Sequence, residues 1–152
     1  MVRSMRDSRA ITPFHIAVQV RDIQEACDFY SGVLGCKAGR KAHAWADFNL
    51  FGHQLVCHEN PGIGRRGKIQ LYVNAVDGHG VPVPHYGVVL NMCSWHELAA
   101  RLRSKGVEFI IEPYIRFAGQ PGEQATMFLL DPSGNALEFK AFNDIESQLF
   151  AT

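Results

Sequence analysis

The sequence predicts an α+β fold, and three observations predict it. Two segments about 70 residues apart share one order, a strand carrying a histidine and then a helix that ends at a glycine. Both helices open on the same kind of capping sequence, Asp22 with Glu25 and Ser94 with Glu97, in which the acidic residue three positions on can satisfy a free backbone N–H. Runs suited to strands follow each helix. Two such units give sheets with a helix packed on one face and the other face open.

In the first half, residues 14–20 read as a strand. A helix follows over 23–34, because Ile23, Ala26, Cys27, Tyr30 and Leu34 fall on one stripe, and Gly35 ends it. Strands are expected over 44–51 and 54–59. Residues 60–83 hold five glycines and two prolines, and this composition marks a linker whose centre, 69–73, has the character of a short edge strand. The second half opens with a strand over 85–90. Its helix, 95–105, places Trp95, Leu98 and Leu102 on one face and ends at Gly106, and strands follow over 108–117, 125–130 and 135–142. The organisation is one domain, 13–143, made of module one (13–59), the linker (60–83) and module two (84–143). A flexible N-terminal tail, 1–12, with Arg3, Arg6 and Arg9 among serines, and a C-terminal tail, 144–152, flank it.

With 152 residues, 47% of them hydrophobic, the chain can bury one substantial core. Its formal charge is zero and no basic run exceeds Arg65-Arg66, a pattern that marks neither a nucleic-acid nor a membrane surface and leaves small molecules as the partner class. Cys27, Cys36, Cys57 and Cys93 lie far apart with no CxxC pair, as expected of reduced thiols in a cytoplasmic protein. No apolar stretch has the length of a membrane span or a signal-peptide core.

Strand alternation then selects residues. In the first strand His15 points with Ala17 and Gln19, away from the apolar set that must meet the helix. His85 shares the open side with Gly87 and Val89. Glu138 sits between Leu137 and Phe139 and therefore faces opposite to them. A carboxylate inside such an apolar strand is costly to bury unless it is paired or bound to a metal, and the two histidines are related by the repeat. Two histidines and one carboxylate make a metal site.

The string Asp131-Pro132-Ser133-Gly134-Asn135-Ala136-Leu137-Glu138-Phe139, with Pro13-Phe14-His15 and Pro84-His85-Tyr86-Gly87, resembles the vicinal oxygen chelate superfamily of glyoxalase I, bleomycin-resistance proteins and extradiol dioxygenases. Residues 51–58, 76–85 and 122–128 extend the likeness to its small predicted extradiol-type dioxygenases. The resemblance covers 13–143. It implies two βαβββ modules forming a cup-shaped mixed sheet around a divalent metal held by His15, His85 and Glu138, and it implies a homodimer.

Aligning the modules on Gly52 and Gly134 pairs Val56 with Glu138, so the place of glyoxalase I's additional ligand is apolar here. What remains is the ligand set of non-haem Fe(II) oxygenases, which Mn(II) or Zn(II) also fits. His58, on the face of Val56, is the candidate acid–base. Arg116 and Gln124 are candidate substrate contacts, Arg116 as a bidentate clamp for a carboxylate or enolate; Tyr86, Tyr114 and Glu123 are further polar candidates. His79, with Asp77, is read as a structural residue of a Gly-rich turn that leads to the cup. Phe128 stands where extradiol enzymes carry a tyrosine, which argues against ring cleavage of a catechol. The expected function is that of a non-haem Fe(II) dioxygenase-like enzyme using O₂ on a small substrate with paired oxygens. The alternatives are a metal-dependent isomerase or lyase of the glyoxalase type, and a metal-free binding protein of the drug-resistance type, against which the three ligands count.

Overall fold

The structure, a computed structural model, describes residues 11–152, so the expectation for the N-terminal tail lies outside the described residues for 1–10. Strand β1 (His15–Val20) leads into helix α1 (Ile23–Cys27), then come β2 (Lys37–Lys41), β3 (Trp45–Leu50) and β4 (His53–Glu59). These strands form a sheet in the order β1-β4-β3-β2, with β1 parallel to β4 and the other pairs antiparallel. After a 3₁₀ turn at Pro61–Ile63 come β5 (Tyr72–Val76) and β6 (His79–Val83), a separate antiparallel pair. The second unit contains β7 (His85–Tyr86), β8 (Val89–Asn91), α2 (Met92–Ser104), β9 (Phe109–Arg116), β10 (Gln124–Leu130) and β11 (Ala136–Phe142), and its sheet runs from β7 and β8 through β11 and β10 to β9. A short helix, α3 (Ile145–Gln148), closes the chain. The α+β architecture and its doubled module are those expected from the repeat.

Several elements differ from expectation for definable reasons. The first helix is not α-helical to residue 34; it widens at Asp28–Val33 into a π-helical turn, in which Leu34 N–H donates to Phe29 O at 2.9 Å. The wider turn lets the neighbouring rings of Phe29 and Tyr30 both enter the core. Asp22 caps the helix, accepting from Glu25 N–H at 2.7 Å, but the Glu25 carboxylate turns to Arg21 rather than back to the cap. In α2 the cap is Asn91, which accepts from Ser94 N–H at 2.8 Å, so the helix begins three residues before the expected Trp95.

The opening strand of module two, expected to be continuous over 85–90, breaks into β7 and β8. At the break, a Cβ on Gly87 would lie 1.6 Å from the Glu138 carbonyl oxygen. Only glycine allows β11 to pass that closely. Strand β2 was not foreseen because it is an exposed, charged edge with no apolar alternation. The linker holds a hairpin rather than one strand over 69–73, turned by Asp77 and Gly78, both at positive φ.

Both modules turn their helix-bearing faces into one core, where Val20, Ile23, Tyr30, Phe48 and Leu55 meet Trp95, Leu98, Leu102, Met127 and Phe139. Polar bonds stitch the junction. Arg101 donates to the carbonyls of Val33 and Gly32, Asn135 to that of Gln19, and the Arg21 N–H to Ser133 Oγ. Because the inner faces are spent on this core, the opposite face of each sheet is left for chemistry. No described helix is long and apolar enough to cross a membrane.

Candidate active site

The period of two in β11 buries Leu137 and Phe139 completely and turns Glu138 to the open face. Parallel pairing of β7 with β11 sets His85 opposite Ala136, one step from Glu138. The result is a contact of 3.0 Å between His85 Nε2 and Glu138 Oε2.

The protons around this contact can be assigned. His85 Nδ1 lies 2.7 Å from the Pro82 carbonyl, which can only accept, so Nδ1 carries a hydrogen and Nε2 is the atom that faces Glu138. Glu138 Oε1 accepts from the Thr126 hydroxyl at 2.8 Å, which leaves Oε2 facing the ring. At that separation a proton or a cation shared between Nε2 and Oε2 satisfies both. Both side chains are mostly shielded from solvent, and the Phe128 ring stands edge-on to His85 at 5.0 Å as an apolar wall. A histidine whose distal N–H is fixed by a carbonyl and a carboxylate whose second oxygen is fixed by a hydroxyl could supply two donors to a divalent ion.

His15 stands elsewhere. It is exposed on the open face of the first sheet, opposite Gln54. Its Nδ1 lies 2.8 Å from Gln54 Oε1, and the Gln54 amide nitrogen lies 3.5 Å from the largely buried Asp47 carboxylate. That orientation makes the amide oxygen the acceptor, so His15 also presents Nε2 outward. Among the described residues, no three His, Cys, Asp or Glu side chains converge closely enough to hold a metal ion. The chain therefore brings together two of the three expected ligands. His58 shares the His15 face, in register with Gln19 and Trp45, and is exposed; it does not line the cavity beside Glu138.

That cavity, of about 230 Å³, has the open face of module two as its floor and the β5–β6 hairpin as a wall. Three rungs follow from the register: Ile111, Phe128 and Glu138, then Tyr114, Thr126 and Lys140, then Arg116 and Gln124. The hairpin docks through His79, whose ring stacks on Tyr114 at 5.4 Å, and through Asp77, whose Oδ2 lies 2.9 Å from Arg116 Nη1. Arg116 and Gln124 thus line the cavity, as does Tyr114. His79, read from sequence as a turn residue, lines it too.

Two candidates fall outside. Tyr86 points into the core, where its hydroxyl meets that of Tyr30, which in turn donates to Asp131 Oδ2 at 2.8 Å; burial pushes both phenols well above their usual pKa. Burial also raises Asp131, against the hydrogen bonds from Asn135, Tyr30 and Ser133 that favour its charged form. Glu123 stays in its loop, accepting from Gly119 N–H. Thr126 and Lys140 were missed, though the turn at Asp131–Gly134 held the signal: counting outward from it pairs Phe128 with Glu138 and Thr126 with Lys140.

The sequence profile described as the Glyoxalase/Bleomycin resistance protein/Dioxygenase superfamily matches residues 12–139. No curated protein matches the sequence. Among solved structures, the chain is similar to a glyoxalase/bleomycin resistance protein/dioxygenase from Alicyclobacillus acidocaldarius, with 33% identity over 89% of this chain and 94% of that one and a TM-score of 0.69. Its fold is also similar to that of a lactoylglutathione lyase from Agrobacterium tumefaciens, at 15% identity over 95% and 99% of the two chains, TM-score 0.60.

Proposed function

This chain belongs to the glyoxalase/bleomycin resistance protein/dioxygenase superfamily, and on that premise we propose that it is a metal-dependent enzyme acting on a small substrate with paired oxygens, with Fe(II) as the metal and O₂ as co-substrate. The observation that carries the reading is the 3.0 Å approach of His85 Nε2 to Glu138 Oε2, each side chain being fixed from behind by another group. His15 completes the ligand set from a second copy in a homodimer: its Nε2 is turned outward and its Nδ1 is already committed to Gln54. When bound, the divalent ion supplies Lewis acidity and, as Fe(II), redox chemistry with O₂.

The chain's own residues do the rest. Pro82 and Thr126 hold the ligands in orientation, and Phe128 keeps water from the His85 side. Arg116 and Gln124 bind the substrate. His58 comes on the same face as His15, four residues along the paired strand and so about 13 Å away, as the group that moves a proton. Free thiols at all four cysteines support the cytoplasm as the compartment.

Phe128 favours a second reading. The cavity wall beside His85 carries a bare phenyl ring where ring-cleaving relatives would place a hydroxyl, and an isomerase or lyase using Mn(II) or Zn(II) has no need of that group. Metal analysis of untagged protein purified without oxygen, run beside His15→Ala, separates the readings. Stoichiometric iron that is lost in the variant is the expected result; manganese or zinc selects the isomerase or lyase, and no metal after reconstitution overturns both in favour of a binding protein.

A further inference from the structure

The charged groups of the cavity are ordered along its length. Glu138 occupies one end, with His85 against it from outside the lining, and Arg116 with Gln124 occupies the other, four residues away along β10, or about 13 Å at the rise of a strand. Lys140 stands on the rung between them.

Arg116 is already engaged by a carboxylate, that of Asp77 at the tip of the hairpin, with 2.9 Å between Nη1 and Oδ2. Asp77 is 55% exposed and Arg116 39%, so water screens the pair and it holds weakly. A carboxylate brought by a ligand can take the place of Asp77 at small cost. The pair thus displays, within the chain, the chemistry that this end of the cavity accepts. Charge adds a second argument. Arg116 and Lys140 balance Asp77 and Glu138, so a divalent ion at the Glu138 end, together with displacement of Asp77, leaves an excess of positive charge that an anionic ligand offsets. The cavity, at about 230 Å³, is smaller than the pockets that hold drug-sized molecules, which limits the ligand to a short chain or single small ring.

We propose that the ligand is a small dianion, with its metal-binding oxygens at the Glu138 end and a carboxylate at the Arg116 end, and that Asp77 keeps the place of that distal carboxylate until it arrives. On binding, the distal carboxylate accepts from the Arg116 guanidinium and the Gln124 amide, and Asp77 is released with the hairpin tip. The inference deepens the metal-enzyme reading and rests on it only for the Glu138 end.

Isothermal titration calorimetry on the full chain tests it with two pairs of probes. Metal-free protein is titrated with glutarate and with pentanoate; Mn²⁺-loaded protein is titrated with 2-oxoglutarate and with 2-oxopentanoate. The dianion is expected to bind about tenfold tighter or more in both pairs, the scale of a charge-assisted contact. Arg116→Gln removes the difference and Arg116→Lys retains part of it. Asp77→Asn, which frees Arg116, tightens the dianion severalfold and leaves the monoanion unchanged. Equal affinities within both pairs, a preference that survives Arg116→Gln, or no binding of either dianion at millimolar concentration overturns the proposal. If the chain takes up no metal, the metal centre falls, and the comparison of glutarate with pentanoate still decides the distal anchor.

Discussion

The His85 ring has its Nδ1 proton committed to the Pro82 carbonyl, so whatever it does toward the cavity it does through Nε2. Glu138 is held in the same manner by Thr126. Such outer partners tune a metal site by about 10- to 100-fold. Thr126→Val, of nearly equal shape, is expected to weaken Mn²⁺ affinity by at least about tenfold while thermal unfolding moves little; unchanged affinity would remove Thr126 from the site. Gly87 is the other residue that fixes Glu138. Because a Cβ there would meet the Glu138 carbonyl oxygen, Gly87→Ala is expected to cost about 1–3 kcal/mol in urea unfolding and to lower metal affinity as β11 is displaced. The open-face direction of Glu138 was legible in the sequence because alternation around Leu137 and Phe139 leaves it no other. The supports of Glu138 and His85 were less so, since Pro82 reaches His85 through its backbone, and a backbone carbonyl leaves no trace in residue type.

Among the elements, those with one buried face declared themselves. Helix α2 buries Trp95, Leu98, Ala99 and Leu102, and its stripe shows that spacing. Its start did not, because Ser94 and Glu97 offer a capping pattern that Asn91 pre-empts from three residues upstream. Asn91→Ala is expected to cost about 1 kcal/mol, measured by denaturant midpoint, and Ser94→Ala markedly less. The reverse order would restore the cap to Ser94. The β5–β6 hairpin was hidden for the opposite reason: all five β5 residues are exposed, so no alternation marks it as a strand. Only Asp77-Gly78 announced a two-residue turn. The hairpin was therefore the part of the cavity hardest to foresee, although it supplies His79 and Asp77.

For the whole molecule, the repeat identified both modules, and apolar patterning identified which faces they bury. It did not say how the modules would be joined. They share a core through their helix-bearing faces, with His85 and Glu138 on one sheet and His15 on the other. In a two-fold dimer with ligands drawn from both copies, co-expressed His15→Ala and Glu138→Ala chains should regain roughly a quarter of the wild-type metal content, the share given by random pairing. Either variant alone should hold none. Metal retained by His15→Ala alone would place His15 outside the site, and metal restored in no mixture, with dimers confirmed by light scattering, would exclude ligands drawn from both copies.

Strand β7 is two residues long, and its two side chains leave in opposite directions, His85 toward Glu138 and Tyr86 toward Tyr30 of module one. The joint between the repeats and the chemistry of the second repeat therefore share a single peptide unit. A substitution at Tyr30 or Asp131 is therefore expected to shift His85 as well, even where the core tolerates it.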